Sequence, residues 1–304
     1  MSAALPSISR SPLLLVLALA VLATLSAWAL DRRVGVSGPT AMLDTEPTRI
    51  VSLAPAITET LFELGAGDRV VGVSDFCDHP PEATSRPRLG SGFTPNYEEI
   101  VGQRPDLILT DRGSGPARLA LEQVAPTRAL AWLSLEEAVH SITTIGGWVH
   151  RQQSAERLAA QMRARLGVPA AVDAPRVLLV HGVSAGTLAE VWLIQRNSLH
   201  GAVLRAAGGR NVVERDVRGA ARLSLEEVIR LDPELIIVLV GADANDQRAK
   251  DRATERFARL RSLRAARERR IGAVVGAGVF TVGPRILALI GPLAAEIRRL
   301  RGPR

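Results

Sequence analysis

The sequence has little of what most metal and catalytic sites are built from. Cys77 is the one cysteine, so the chain can form no internal disulfide and has neither a CxxC pair nor a cysteine zinc site. It has 5 histidines, and no two of them have the HxxxH spacing of a helical metal site. We therefore expect no metal cage made of protein side chains alone, and no bound cofactor.

Lysine and tyrosine are equally scarce. Lys250 is the one lysine, and the net charge of +7 comes from arginines scattered among acids. Their densest run, Arg259–Arg270, interleaves leucine and alanine at helical spacing, which predicts a solvated helix face and no nucleic-acid partner. With 47% apolar residues, the 304 residues are enough for about two domains with real cores.

A long apolar run without charge lies near the N-terminus. It spans Pro12–Leu30, contains Ala27-Trp28-Ala29 and is followed by Asp31-Arg32-Arg33, which is the plan of a secretory signal peptide over residues 1–30. The run is also long enough to stay uncleaved as a membrane anchor. Both alternatives predict an exported protein, in which residues 31–48 form a flexible tether.

One motif occurs twice in the chain. NYEEIVGQRPDLILT at Asn96–Thr110 returns as SLEEVIRLDPELIIV at Ser224–Val238. Asn96 and Ser224 each precede a glutamate by three residues, so both copies predict a capping box at a helix start. A proline then ends each helix, and the unbroken apolar run after it is typical of a parallel strand covered on both faces.

The wider order of elements repeats as well: strand, helix, glycine-rich turn, strand, capped helix, proline, strand. Arg49–Leu53 matches Arg176–Val180, and Gly67–Val71 matches Gly209–Val213. This repetition predicts an α/β fold with two similar lobes. Its predicted parts are an N-terminal lobe at 49–133, linking helices at 134–174 and a C-terminal lobe at 175–304.

Ligands of open α/β sheets bind beside the carboxyl ends of the strands. In two facing lobes these ends would border one cleft, whose loops hold glycine, serine, threonine and isolated aromatic residues rather than a convergent catalytic set. The sequence therefore predicts a binding site and no enzyme. The predicted ligand-binding residues are Pro55, Ala56, Phe93, Asp111, Trp192, Arg218, Arg222 and Phe280.

The sequence is also compatible with two other classes of protein. An exported α/β enzyme could use a cleft carboxylate or Cys77, although Cys77 is more simply explained as a small buried apolar residue. Gly90-Ser91-Gly92 and Gly113-Ser114-Gly115 do not have the spacing of a nucleophile elbow. The other class is a membrane-anchored sensor that binds a ligand without feeding an importer.

Glu98 and Glu226 precede the capping glutamates of the two motif copies. The simpler interpretation is that each gains modestly from the positive end of its helix dipole. The functional interpretation is that each lobe presents one exposed carboxylate at an equivalent place. Two such carboxylates could bind paired arginines of a two-fold symmetric partner.

The sequence resembles a known family, the helical-backbone substrate-binding proteins of ABC importers, which take up iron-siderophores, haem and cobalamin. The resemblance covers residues 49–300 and rests on RIVSLAPAITETLFELGAGDRVVGVSDFCDHPPEA, LGSGFTPNYEEIVGQRPDLIL, AGGRNVV and SLEEVIRLDPELIIV. It implies a periplasmic monomer with two Rossmann-like lobes, a long linking helix and a ligand cleft between the lobes. It also implies that Glu98 and Glu226 dock the permease dimer of an importer with its ATPase.

The first of these blocks is most similar to the cobalamin-binding branch, which implies a corrinoid as the ligand. A ferric siderophore is the alternative, since Arg218 and Arg222 could bind its anionic groups. Haem is less favoured, because haem binders of the family use a tyrosine or histidine ligand and Tyr97 lies beside the docking motif. In contrast to the family's long helix, Gly146-Gly147 predicts an interruption of the linking helix.

Overall fold

A computed structural model of the chain describes residues 45–181, 190–216, 222–241 and 246–302. The predicted signal or anchor at residues 1–30 and most of the predicted tether lie outside those ranges. Within them, none of the helices combines the length and apolar character that crossing a membrane requires.

The described chain alternates strands with helices. The strands are β1 (Ile50–Ser52), β2 (Val70–Val73), β3 (Leu107–Asp111), β4 (Thr127–Leu130), β5 (Arg176–His181), β6 (Glu190–Trp192), β7 (Arg210–Asn211), β8 (Arg222–Ser224), β9 (Leu235–Val240) and β10 (Ile271–Val275). The α-helices are α1 (Pro55–Glu63), α2 (Tyr97–Gly102), α3 (Gly115–Leu121), α4 (Leu135–Trp148), α5 (Gln152–Leu166), α6 (Leu199–Ala206), α7 (Leu225–Leu231), α8 (Gln247–Ala258), α9 (Arg264–Arg267) and α10 (Ile290–Arg301). Short 3-10 helices lie at Gly67–Arg69, Pro81–Ser85, Arg112–Ser114 and Pro284–Leu289.

Two four-stranded sheets share one topology. The first has the order β2-β1-β3-β4 and the second the order β7-β5-β9-β10, and neighbouring strands in both are parallel. Strand β5 therefore corresponds to β1, β7 to β2, β9 to β3 and β10 to β4. The prediction of an α/β fold with two parallel-sheet lobes is confirmed, with the first sheet in the first lobe and the second sheet in the second lobe.

The repeated motif forms the predicted helix and strand in both copies. In the second copy Ser224 and Glu227 make the full capping box at the start of α7, and Asp232 ends the helix in the left-handed region before Pro233. In the first copy the described contacts contain only half of that arrangement, because the Asn96 side chain accepts the backbone N–H of Glu99 without a returning bond. The capping box predicted at Asn96 is therefore a single cap.

The link between the lobes consists of two helices packed against each other, α4 and α5. The chain reverses at Val149–Arg151, where His150 has a positive φ of 54°. Gly146 and Gly147 do not interrupt α4, contrary to the prediction. Instead, a Cβ on Gly146 would come within 2.2 Å of the Ala155 Cβ, so glycine permits the close contact between the two helices.

A continuous apolar core runs from the first sheet through the linking helices to the second. The same cluster contains Ile50 and Leu107 of the first sheet, Ile142 of α4, Met162 of α5 and Val177 of β5, all fully buried. Since close-packed interiors transmit strain and resist deformation, a shared core favours a nearly rigid relation between the lobes.

The arginine-rich run at Arg259–Arg270 is not one helix face, contrary to the prediction. Helix α8 ends at Ala258, and the short α9 begins only at Arg264. The run turns because Leu263, Ala265 and Ala266 insert into the core of the second lobe.

Candidate functional site

A cavity of about 730 Å³ lies where loops of the two sheets meet. The first lobe supplies the segments that follow β1, β2, β3 and β4, and the second lobe supplies the segment 277–285 that follows β10. This is the edge at which parallel α/β sheets bind ligands, because the loops at the carboxyl ends of the strands converge there. The volume is in the range of about 300–1,000 Å³ that is usual for small-molecule sites.

Large apolar side chains on the cavity wall are unusually exposed. The exposed fraction is 69% for Phe76, 65% for Phe93, 75% for Leu133 and 40% for Phe280. Trp132 also lines the cavity but is only 4% exposed, and its Nε1 is buried without a hydrogen-bond partner among the described residues. Apolar rings held in loops and facing open space are what a large, flat, apolar ligand can cover.

The structure brings five predicted ligand-binding residues together at this cavity. They are Pro55 and Ala56 at the start of α1, Phe93, Asp111 at the end of β3, and Phe280 after β10. Their contact with a ligand stays a prediction, but the carboxyl-end rule did locate one common site for them.

The remaining predicted residues lie elsewhere. Trp192 and Arg222 are paired across β6 and β8, which form a separate antiparallel ribbon, and the Arg222 guanidinium carbon lies 4.8 Å from the Trp192 ring centroid. The cation–π contact occupies one face of the Trp192 ring, and neither residue is among those that line the cavity. Arg218 lies outside the described residues.

Several residues on the cavity wall were not predicted as ligand contacts. The wall includes Phe76 after β2, Trp132 and Leu133 after β4, and Thr281 and Arg285 after β10. The signal for Phe76 and Trp132 was available in the sequence, because each is an aromatic residue just beyond a predicted strand. Thr281 and Arg285 carried no such signal, since their role depends on a residue more than 200 positions earlier.

That residue is Glu59 of α1, a carboxylate that is 2% exposed and joins the two lobes. Thr281 Oγ1 donates to Glu59 Oε1 over 3.2 Å, and Arg285 Nε lies 3.0 Å from the same oxygen. The other end of the guanidinium reaches Asp78, with 3.0 Å between Nη2 and Oδ1. Burial raises the pKa of Glu59, while the Arg285 charge and the hydrogen bond from Thr281 act to lower it.

The backbone of Gly283 fits closely into this contact between the lobes. A Cβ added there would lie 2.4 Å from Glu59 Oε2 and 2.9 Å from the Ala56 Cα. The two lobes therefore approach each other beside the cavity at a distance that only glycine allows.

Asp111 is the other cavity carboxylate with a perturbed environment. The residue is half-buried, and its Oδ1 is shielded from solvent without a hydrogen-bond partner in the part of the chain that is described. Burial raises the pKa of Asp111, and backbone N–H groups of Gly113 and Ser114 lower it less. The site thus holds a partly desolvated anion without a described ion-pair partner.

Two histidines support the Phe280 loop from the second lobe. The His181 ring stacks on Phe280 at a centroid distance of 5.2 Å, and His200 Nε2 lies 2.9 Å from the Val279 carbonyl oxygen. Since a carbonyl only accepts, Nε2 of His200 carries a proton. Burial lowers the pKa of His200 to about 4, and loss of solvation also lowers the pKa of His181, so both rings are neutral at pH 7.

Cys77 has the environment of a packed thiol. It is fully buried, and its Sγ lies 3.1 Å from both the Ser74 and the Thr58 hydroxyl oxygens. Burial raises the pKa of Cys77, which disfavours the thiolate that a nucleophile requires. Across the described ranges, no three His, Cys, Asp or Glu side chains are grouped so that they could hold a metal ion.

One motif with the spacing of a nucleophile elbow does occur, at Gly182-Val183-Ser184-Ala185-Gly186. It directly follows β5 in sequence and lies outside the described residues. This motif is the reason to assay the protein for esterase activity.

Glu98 and Glu226 occupy the same place in the two repeats. Each lies in the first turn of its helix, α2 or α7, and each is exposed. Neither forms an ion pair with a residue that the structure describes. Their role in docking stays a prediction.

Comparison with known proteins gives one family and consistent relatives. The family model described as periplasmic binding protein matches residues 50–273. A cobalamin-binding protein of Halobacterium salinarum is 34% identical over 225 residues, which is 68% of this chain and 58% of that protein. A vitamin B12-binding protein of Pectobacterium atrosepticum is 29% identical over 216 residues, covering 66% of this chain and 75% of that protein.

A solved structure extends the similarity to the fold. The periplasmic haem-binding protein of Pseudomonas aeruginosa superposes with a TM-score of 0.66 at 26% identity, covering 83% of this chain and 92% of that one. The match to the Halobacterium protein spans less than two thirds of that protein's length.

Proposed function

Because this chain belongs to the periplasmic binding protein family, we propose that it captures a corrinoid of the cobalamin class outside the cytoplasm and delivers it to the permease of an ABC importer. The ligand is cargo that leaves unchanged, so the proposal includes no catalytic step. The observation that carries it is the cavity between two parallel-sheet lobes, whose wall is formed by exposed aromatic and aliphatic side chains.

The charges on the wall support a corrinoid over a ligand rich in carboxylates. Three acids, Asp78, Asp111 and Glu137, face two arginines, Arg112 and Arg285. Arg285 is already paired with Glu59 and Asp78. A ferric carboxylate siderophore would need more positive charge than this wall offers, whereas a corrinoid with amide side chains needs mainly apolar contact.

Haem is supported as a ligand by the structural similarity to a haem-binding protein and disfavoured by the position of the one tyrosine. Tyr97, the one tyrosine, lies in α2 and not on the cavity wall. The two curated relatives described above are named for cobalamin or vitamin B12. We therefore place the corrinoid first and the haem and siderophore ligands among the outcomes of the test.

The binding test is a calorimetric titration of the purified protein with cyanocobalamin, a ferric siderophore and haemin. We expect a micromolar or tighter dissociation constant for cyanocobalamin and at least tenfold weaker binding of the other two. If haemin or the siderophore bound tightly and cyanocobalamin did not bind, the protein would belong with the haem or siderophore binders and the corrinoid proposal would be wrong.

A separate activity assay tests the enzyme alternative. Hydrolysis of an ester substrate by the wild type that is abolished in Ser184→Ala would support an enzyme instead of a binding protein.

The partner of the loaded protein would be a permease dimer, bound through Glu98 and Glu226 by a monomer of this chain. The double substitution Glu98→Ala with Glu226→Ala should leave cyanocobalamin affinity unchanged and reduce uptake in a reconstituted importer at least tenfold. Glu136→Ala is the matched control, because Glu136 has the same sequence position in the capped start of α4 and is exposed. Unreduced uptake by the double variant would contradict the docking role.

A further inference from the structure

Most charged side chains on the cavity wall are already engaged within the protein. Asp78 and Arg285 pair with each other, and Glu137 accepts the backbone N–H groups of Leu133 and Ser134 as part of the capping box of α4. Asp111, Arg112 and Glu137 are the charged wall residues that have no ion-pair partner in the described ranges, and the Glu137 carboxylate is occupied by the two backbone N–H groups of its capping box. A ligand would therefore meet one carboxylate and one guanidinium that are not already neutralised.

These two charges are not equivalent. Arg112 is exposed, so water and salt screen its charge. Asp111 is half-buried at the end of β3, and its Oδ1 is enclosed beside Gly113 and Phe93 without a hydrogen-bond partner in the described chain. The backbone N–H groups of Gly113 and Ser114 offset only part of the loss of solvation of this carboxylate. An unsatisfied, partly desolvated acceptor interacts more strongly with a ligand than a solvated charge does.

We propose that Asp111 makes the cavity select chelates with peripheral carboxamides over chelates with peripheral carboxylates. A carboxamide N–H of the ligand can donate to the Asp111 carboxylate where that residue lines the cavity. A ligand carboxylate at the same place adds a second negative charge to a poorly solvated one. The burial that raises the pKa of Asp111 is the same burial that makes this repulsion large.

This inference rests on the proposed function, since it assigns a specificity residue to the same cavity. It is tested with two corrinoids that share one ring: dicyanocobinamide, whose periphery carries carboxamides, and dicyanocobyrinic acid, whose periphery carries carboxylates. Titration at pH 7.5 and low salt gives a dissociation constant for each corrinoid. The readout is the dissociation constant of dicyanocobyrinic acid divided by that of dicyanocobinamide. A partly unfolded variant binds both ligands less in the same proportion, so the ratio does not report on folding.

We expect the wild-type protein to bind dicyanocobinamide more tightly than dicyanocobyrinic acid. Asp111→Asn keeps the side-chain shape and removes the charge, so the ratio should narrow about tenfold, mainly through tighter binding of the acid. Asp75→Asn is the matched control, because Asp75 is exposed and lies outside the cavity wall, and its ratio should equal that of the wild type. Arg112→Gln should widen the ratio, since it removes the cation that favours carboxylates.

The failure of this inference differs from the failure of the function. If the wild type binds dicyanocobinamide and the ratio is unchanged in Asp111→Asn, Asp111 has no part in selection and the corrinoid-binding function stands. If the wild type binds neither corrinoid nor cyanocobalamin, the proposed function is wrong and the inference falls with it.

Discussion

The two lobes have the same sheet topology and contribute unequally to the cavity. The first lobe lines it with segments after four strands, whereas the described part of the second lobe lines it with the one segment after β10. Duplication therefore fixed where ligands can bind, at the carboxyl ends of both sheets, without duplicating the residues that line the site.

The lobes also differ in the titratable groups that they bury. The first lobe buries an acid, Glu59, whose pKa is raised, and the second buries a base, His200, whose pKa is lowered. Glu59 crosses to the other lobe for its partners, while His200 bonds within its own lobe to Val279. The first contact holds the lobes together and the second supports one loop.

Removal of the Glu59 carboxylate should have the largest effect on this arrangement. Glu59→Ala leaves the partly buried Arg285 with only Asp78 and deletes the bonds that join the lobes, so we expect a loss of about 3 kcal/mol in the free energy of unfolding. Urea unfolding measures it. Glu122→Ala, which breaks the exposed pair with Arg118, should cost no more than about 0.5 kcal/mol. Equal losses in the two variants would show that the buried Glu59 contact between the lobes stabilises the fold no more than an exposed ion pair does.

His200 should give the second lobe a pH dependence of its own. The folded-state pKa lies below the ordinary value of 6.5, so its contribution to stability is present above pH 6.5 and is lost as the pH falls through about 4. The difference of about 2.5 pKa units corresponds to about 3 kcal/mol. His200→Gln keeps a donor for the Val279 carbonyl and should remove this part of the pH dependence.

Unfolding curves at several values between pH 4 and 7.5 test this prediction. Glu59 acts with the opposite sign, because its raised pKa means that its stability contribution is lost as the pH rises. The comparison must therefore be between wild type and His200→Gln at each pH, so that the Glu59 contribution cancels. Parallel curves for the two proteins would contradict the assignment to His200.

The fold was largely predictable because the same local sequence patterns occur in both repeats. The caps at Asn96 and Ser224 and the apolar runs at β3 and β9 are local, and they fixed the elements and their parallel arrangement. The path of the link was not predictable, because Gly146 reads as a helix breaker until the close neighbour Ala155 is known.

The candidate site was predictable only as far as loop position decides it. Phe93, Asp111 and Phe280 follow strands and lie on the cavity, as the carboxyl-end rule predicts. The position of Trp192 off the cavity wall was not predictable, because nothing local in the sequence shows that it pairs with Arg222 in a ribbon. The contact of Glu59 with Arg285 could not be predicted from the sequence either, because it joins two lobes whose relative placement no local pattern determines.

Phe93 and Trp192 allow a direct test of the cavity against the ribbon. Phe93→Ala should weaken cyanocobalamin binding about tenfold, because it deletes an exposed ring on the cavity wall, and should change stability little. Trp192→Ala should change affinity less than threefold, because the ring packs against Arg222. Titration of both variants decides whether the sequence-based prediction for Trp192 or its position in the structure is the better guide.

The smallest expected effect compares the two copies of the motif themselves. Ser224 takes part in a full capping box, whereas Asn96 accepts a single bond of 3.3 Å. Ser224→Ala should therefore lower the free energy of unfolding by about 1 kcal/mol and Asn96→Ala by about 0.5 kcal/mol. Ser134→Ala, at the third and also complete capping box, should match Ser224→Ala. If Asn96→Ala proved the more damaging of the two, the first copy would depend on its cap more than its contacts indicate, and the order of stabilities expected from the hydrogen bonds would be wrong.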